Sequence, residues 1–228
     1  MKKILLASAL ALSTMSFAQI DFSSTRFGIT AGGNYSRVKN AHNPSGPRYT
    51  FQGGVLALIP VGKENQFFLQ PEVLYYGAGE TGKDKDAKSM DGYNAVYANS
   101  YISVPINFKG YFSEDESEFF GMVGPRFNFL ISQKTTGAPA TRPYYDQNVS
   151  YTDPTTGKEI SGKAAGFNFG VGVGVGYSYK RQLEIALGYD FGISNTYPKL
   201  IESYTKSADT EKSKSEQVLS LKLSYIFE

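Results

Sequence analysis

From Ala165 to Tyr179 the chain reads AGFNFGVGVGVGYSY, and its positions split by parity into two populations that cannot share one environment. Phe167, Phe169, Val171, Val173, Val175, Tyr177 and Tyr179 are apolar or aromatic, whereas Gly166, Asn168, Gly170, Gly172, Gly174, Gly176 and Ser178 are tiny or polar. A period of two predicts a strand. Aromatics at both ends, aliphatics between them and a glycine row behind predict an outer face in lipid and an inner face lining a crowded interior.

Seven further segments alternate in the same way. In Arg26–Val38, Phe27, Ile29, Ala31 and Tyr35 oppose Gly28, Thr30, Gly32, Asn34 and Ser36, while Tyr49–Pro60 is apolar on both faces and leaves its sides open. Phe67–Gly77 sends Leu69, Val73 and Tyr75 outward and Gln70 and Glu72 inward. Tyr101–Phe112 sends Ile102, Val104, Ile106 and Phe108 outward, with Ser103, Asn107 and Lys109 inward. Phe119–Ile131 sets Val123, Phe127 and Phe129 against Arg126 and Asn128. Leu183–Ile193 sets Leu183, Ile185, Leu187, Tyr189 and Phe191 against Glu184, Ala186, Gly188, Asp190 and Gly192. Gln217–Phe227 sets Leu219, Leu221, Leu223, Tyr225 and Phe227 against Ser220, Lys222 and Ser224.

The links alternate in length, which is a second signal. Val61–Gln66, Ser113–Glu118 and Lys180–Gln182 are short; Lys39–Arg48, Ala78–Ser100, Ser132–Ala164 and Ser194–Glu216 are long. Tight turns at one end and extended loops at the other predict an all-β, eight-stranded antiparallel up-and-down transmembrane barrel with periplasmic termini and external loops. Polar and Gly/Pro-rich loop stretches, Gly82–Asp86, Thr135–Pro143 and Ser207–Ser215, are expected to be mobile.

Composition sharpens this picture. Lys2 and Lys3, the apolar run Ile4–Leu12 and the small-x-small Ser16-Phe17-Ala18 predict a signal peptide over residues 1–18, cleaved before Gln19, and one barrel domain over residues 19–228. No later stretch approaches the roughly 18 consecutive apolar residues of a membrane helix, and the mean hydropathy is −0.30, as expected when lipid-facing and lumen-facing positions average out. Cysteine is absent, so no disulfide holds the exported chain. Without Lys2 and Lys3 the 23 basic residues fall to 21, equal to the 21 acids, and no bulk charge points to nucleic acid.

Several segments resemble a known family. FGITAGGNYS, FQGGVLALIPVGKENQFFLQPEVLYYGAGE, YISVPINFKGYF and FFGMVGPRFNF are similar to the PorT-like outer-membrane β-barrel family of Bacteroidetes, whose third strand reads LQPELLY where this chain has Leu69–Tyr75. The resemblance covers essentially the whole mature chain and implies an outer-membrane location. The family's name-giving member is associated with type IX secretion, a role that no residue here marks. In size and strand number the chain also resembles the small OmpX and OmpA barrels. Tyr225 and Phe227 resemble the terminal assembly signal of outer-membrane barrels, followed here by Glu228.

Candidate chemistry sits in the lumen and the loops. Glu72, Glu184 and Asp190 face inward with Lys109, Arg126 and Lys222, and three acids with three bases predict a neutral ion-pair network that plugs and stiffens the barrel; an ion path and a proton relay are the alternatives. Barrel enzymes such as omptin-like proteases and lipases use a His near the rim, and the single His, His42, lies beside Asn43 and Pro44 and is expected to be a solvated loop residue. Asp84, Asp86 and Asp91 fit no calcium-loop spacing. The glycine row of 170–176 has no following helix and is no phosphate loop; it leaves room for bulky residues such as Tyr76 or Arg126. Tyr144, Tyr145 and Tyr151 are either recognition anchors or packing residues of the third long loop.

Taken together, these residues predict a non-enzymatic barrel without a cofactor, structural or adhesive through its loops, with an envelope or secretion accessory and a small-solute channel as alternatives. The expected partners are outer-membrane lipid, the assembly machinery, and an envelope or host-surface protein. Val173→Arg is expected to cost about 2 to 4 kcal/mol at mid-bilayer while Val173→Leu is nearly neutral, and Gly174→Phe is expected to block folding; heat-modifiable gel mobility checks both.

Overall fold

The computed structural model describes residues 22–43, 45–62, 65–82, 94–154, 156–201 and 212–227. Eight long strands close into one antiparallel barrel: β1 (Arg26–Val38), β2 (Gly46–Val61), β3 (Phe67–Thr81), β4 (Val96–Tyr111), β5 (Glu118–Thr136), β8 (Phe167–Tyr179), β9 (Leu183–Gly192) and β10 (Glu216–Ile226). Each strand pairs with its neighbour in sequence, and β1 closes the ring on β10, with Gly28 opposite Ile226 and Val38 opposite Glu216. The third long loop carries a single-turn 3-10 helix at Pro143–Tyr145 and a small hairpin of β6 (Ser150–Thr152) and β7 (Glu159–Ser161).

Parity decides the two faces. Val173, Val175, Leu187, Leu221 and Leu223 stand outward and exposed, bracketed by Phe27, Phe67, Phe119, Tyr177, Tyr225 and Phe227 toward the short turns and by Tyr35, Tyr49, Phe51, Phe129, Phe167 and Phe191 toward the long loops. An aliphatic band between two aromatic girdles is the surface a bilayer requires. The second strand, apolar on both faces, is resolved by its register: Gln52, Leu56 and Leu58 are buried, while Tyr49, Phe51 and Val55 are exposed.

The glycine row of β8 answers to bulk on its neighbours. Gly176, Gly174 and Gly170 lie opposite Phe120, Met122 and Arg126 of β5, and Gly172 lies opposite Asp190 of β9. A Cβ at Gly176 would come within 2.4 Å of both the Ile185 carbonyl oxygen and the Phe120 ring, whereas at Gly174 the nearest atom, at 2.6 Å, is the flexible methyl end of Met122. The row therefore gives the large side chains of β5 their place in the lumen.

Four strands outrun their predicted bounds at the loop end. β2 starts at Gly46, β3 continues to Thr81, β4 starts at Val96 and β5 runs to Thr136, so Thr135 and Thr136 are strand residues. Bulges permit the extension. Ile131 is the extra residue where Ser100–Tyr101 faces Leu130 and Ser132, and a second shift separates Pro47 from Gln52 against β3. Gly79 sits in that second irregularity at φ +110°, where a Cβ would lie 2.0 Å from the Tyr97 carbonyl oxygen. Only glycine serves there. The predicted signal peptide, Gly82's successors through Asp91 and most of Ser207–Ser215 lie outside the described residues.

Candidate functional site

The lumen is filled in layers. Nearest the short turns, Leu56, Leu58, Phe68, Tyr111, Phe120, Ala186 and Ile226 form a buried apolar plug. Arg181 braces it from below: its guanidinium meets Glu118 at 2.5 Å and donates to the Asn65 carbonyl at 2.8 Å, and Glu118 accepts from the Ser113 backbone N–H at 2.7 Å. One ion pair thus ties the three short turns together. Neither partner was singled out from the sequence, because both lie at strand ends where alternation gives no side.

Above the plug stand the six charged residues predicted to face inward, brought together as three pairs. The Lys109 ammonium meets Glu184 at 2.5 Å, and the Tyr111 hydroxyl donates to the same carboxylate at 2.7 Å. Lys222 lies 3.1 Å from both oxygens of Glu72, which also accepts from Gln70 at 2.8 Å and Asn107 at 3.1 Å. Arg126 meets Asp190 at 3.1 Å, donates to the Ser103 hydroxyl at 3.2 Å and covers the Tyr76 ring at 4.8 Å. Lys109–Glu184 and Lys222–Glu72 each join strands three apart around the ring, and Arg126–Asp190 reaches across the glycine row of β8. Opposite charges at these distances in a dry interior compensate the cost of leaving water, and the extra donors satisfy remaining lone pairs.

Little space is left. Between Tyr76, Arg126, Asp190 and Glu216 there remains a cavity of about 10 Å3, the lower limit for one water. Glu216 is buried here and accepts from the Tyr101 hydroxyl at 3.4 Å. Its carboxylate was missed in the sequence because it sits at the start of β10, one residue before the predicted segment.

The long loops close the top of the barrel. His42, expected to be solvated, is instead enclosed. Its side chain is fully buried, stacked on Tyr97 at 3.4 Å between ring centroids with an interplanar angle of 4°, and edged by Tyr145 at 4.7 Å and Tyr197 at 5.1 Å. His42 Nδ1 lies 2.5 Å from Glu80 Oε1, which also accepts the His42 backbone N–H at 3.2 Å. Glu80 keeps the inward parity of Glu72 and Tyr76 on β3, whose register on β4 runs without a shift, and so reaches the lumen mouth to receive it. Around this pair Val38, Ala41, Ala95, Tyr144, Tyr145, Ile160, Ala164, Leu200 and Ile201 make a second buried core.

This core takes in two of the three loop tyrosines, on the packing side of the two alternatives open for them. Tyr144 and Tyr145 are 1% and 0% exposed because the 3-10 turn begun by Pro143 drives both rings into the cap. Tyr151, on β6, stays outside at 41% exposure. Thr135–Pro143, expected to be mobile, is partly strand and partly packed, with Ala138 against the cap core. Asp84, Asp86 and Asp91 lie outside the described residues; among the described residues no three His, Cys, Asp or Glu side chains are placed to share a metal.

A closed eight-stranded barrel with an apolar belt, a filled charged lumen and a capped mouth is a small outer-membrane β-barrel. The chain belongs to the outer membrane protein beta-barrel domain family, whose model matches residues 17–197. Among solved structures it is similar to Ail, the attachment invasion locus protein of Yersinia pestis, at 11% identity and TM-score 0.41, over 89% of this chain and 98% of that one. It is similar also to Neisserial surface protein A, at 13% and 0.44, over 88% and 97%, and to the N-terminal barrel of Pseudomonas aeruginosa OprF, at 9% and 0.37, over 88% and 97%. No protein of curated function matches the sequence.

Two outcomes follow from the site. Lys109→Met strands the Glu184 carboxylate and is expected to cost about 3 to 5 kcal/mol, while Lys109→Met with Glu184→Leu recovers most of the loss; urea unfolding in lipid vesicles measures both. In the cap, burial pushes the His42 pKa down, against the pull of Glu80 and with a further downward push from Lys214. The folded cap therefore holds fewer protons than an opened one, and cap stability, full above the ordinary His value of 6.5, is lost as pH falls below it. Protease cleavage of the loops is expected to rise between pH 7.5 and 5.5, and His42→Phe, which removes the one His, abolishes the change.

Proposed function

We propose that residues 1–18 are an export signal and that the processed barrel is a non-enzymatic outer-membrane protein acting through its extracellular surface, in a structural or adhesive role. The observation that carries this reading is the ordered cap seated on a filled lumen. In favour of a closed lumen stands the cavity of about 10 Å3 between Tyr76, Arg126, Asp190 and Glu216, and in favour of a non-catalytic rim stands the burial of the one histidine against three tyrosine rings.

Among the described residues, the face of the third loop is open to the outside. The β6–β7 hairpin projects Tyr151, with Lys158 and Lys163 nearby and Lys199 paired to Glu159 at 2.5 Å on the surface. A rigidly mounted exposed aromatic among cations is the composition of a protein-binding anchor, and the ligand class it fits is an envelope or host-surface protein. The resemblance of Leu69–Tyr75 and its companion segments to PorT-like barrels of Bacteroidetes supports a second reading, an accessory subunit of an envelope or secretion complex.

The barrel in lipid nanodiscs tests these readings. Binding to extracellular-matrix protein is expected, weakened about tenfold or more by Tyr151→Ala, with no unitary conductance in planar bilayers. Conductance that Lys109→Met alters would overturn the reading in favour of a channel. Absence of matrix binding together with stoichiometric co-purification with an envelope complex from native membranes would replace it with the accessory role.

A further inference from the structure

The outward positions of β1 run Phe27, Ile29, Ala31, Gly33, Tyr35, Arg37. Gly33 breaks the wall of side chains. It lies between Phe51 of β2 and Leu221 of β10, and a Cβ built on it would meet nothing within 4 Å. The result is a hollow of about 270 Å3 in the lipid-facing surface, lined by Gly33, Tyr35, Tyr49, Leu187, Leu219 and Leu221. Directly above it, sharing Tyr35 and Leu219, is a larger recess of about 690 Å3 whose upper walls are Arg37, Lys39, Asn40, Tyr189 and Gln217.

The two recesses have opposite chemistry and one axis. The lower is apolar and at the depth of the aliphatic band. The upper begins at the tyrosines of the outer girdle, where headgroups lie, and presents two cations. Arg37 and Lys39 are exposed; the Arg37 guanidinium has one protein acceptor, the Ser45 carbonyl at 3.4 Å, and no carboxylate among the described residues lines the recess. Asp190 and Glu216, the acids on the neighbouring strands, point into the lumen by parity.

We propose that this paired recess is a binding site for a net-anionic, phosphate-bearing lipid of the outer leaflet. Its phosphate sits between Arg37 and Lys39, where a guanidinium fork and an ammonium match its charge and oxygens, and one acyl chain fills the hollow left by Gly33. Cationic charge alone would draw any anion. The hollow beneath it, which meets the charged recess at Tyr35 and Leu219, selects an anion that carries a hydrocarbon chain.

The test is native mass spectrometry of the whole barrel released from detergent and titrated with phosphatidylglycerol, phosphatidylcholine or inorganic phosphate. Wild type is expected to retain one phosphatidylglycerol in preference to phosphatidylcholine. Arg37→Gln with Lys39→Gln is expected to weaken this retention roughly thirtyfold, and Gly33→Leu about tenfold by filling the hollow, with unchanged heat-modifiable mobility showing that both variants fold. Lys134→Gln, at the loop end of β5 on the opposite side of the barrel from β1, is expected to leave retention as in wild type. Equal retention of the two lipids, or phosphatidylglycerol retention indifferent to the Arg37 and Lys39 changes, would overturn the proposal. So would inorganic phosphate displacing the lipid while Gly33→Leu has no effect, which would mark a free-anion site.

Discussion

Closing eight strands on themselves leaves a lumen that holds side chains and almost no water, so a charge pointing inward has to find an opposite charge within reach. Lys109 with Glu184, Arg126 with Asp190 and Lys222 with Glu72 meet that condition. They also consume the interior. Bulky Phe120, Met122 and Arg126 project from β5 into space that β8 yields through its glycines. The glycine row that exposes the chain's alternation so plainly is thus the counterpart of side chains one strand away.

The same strands that cross the membrane also build what stands above it. Bulges at Ile131 and near Gly79 change the parity of β5 and the register of β2 on β3, and the extended ends of β2 to β5 become a wall on which the loops settle. Glu80, inward on the same parity as Glu72 and Tyr76, receives His42, and the tyrosines of three different loops and strands close around the pair. A rigid mounting costs an exposed surface less ordering entropy on binding than free loops would, and Tyr151 stands exposed on the β6–β7 hairpin of the cap.

The outer face carries information of its own. A lipid-facing glycine is a loss of packing that the fold does not need, since no backbone or side chain approaches it. Its position below two cations at the headgroup level gives that loss a use, and it lies on the strand that closes the ring, between the first and last elements of the barrel.

How much of this was legible beforehand follows from the range of each interaction. The side on which Val173, Leu221, Lys109 or Asp190 falls depends only on a period of two within one strand, and the contrast of lipid with lumen writes that period into the residues themselves. The alternating link lengths do the same for the topology. Strand two was opaque because both of its faces are apolar, and the partner of each charge was opaque because it is set by a register closed around the whole ring. His42 was misread, Glu80 missed, and Tyr144 and Tyr145 left between two alternatives for the same reason: nothing local marks a loop residue as buried, and Glu80 lay beyond the point where the alternation of strand three fades. The sequence by itself determined the barrel, its inside and its outside, since lipid acts on every residue independently; the tertiary structure alone decided the ion pairs, the cap and the hollow at Gly33, since each is made by residues that only closure of the sheet brings together.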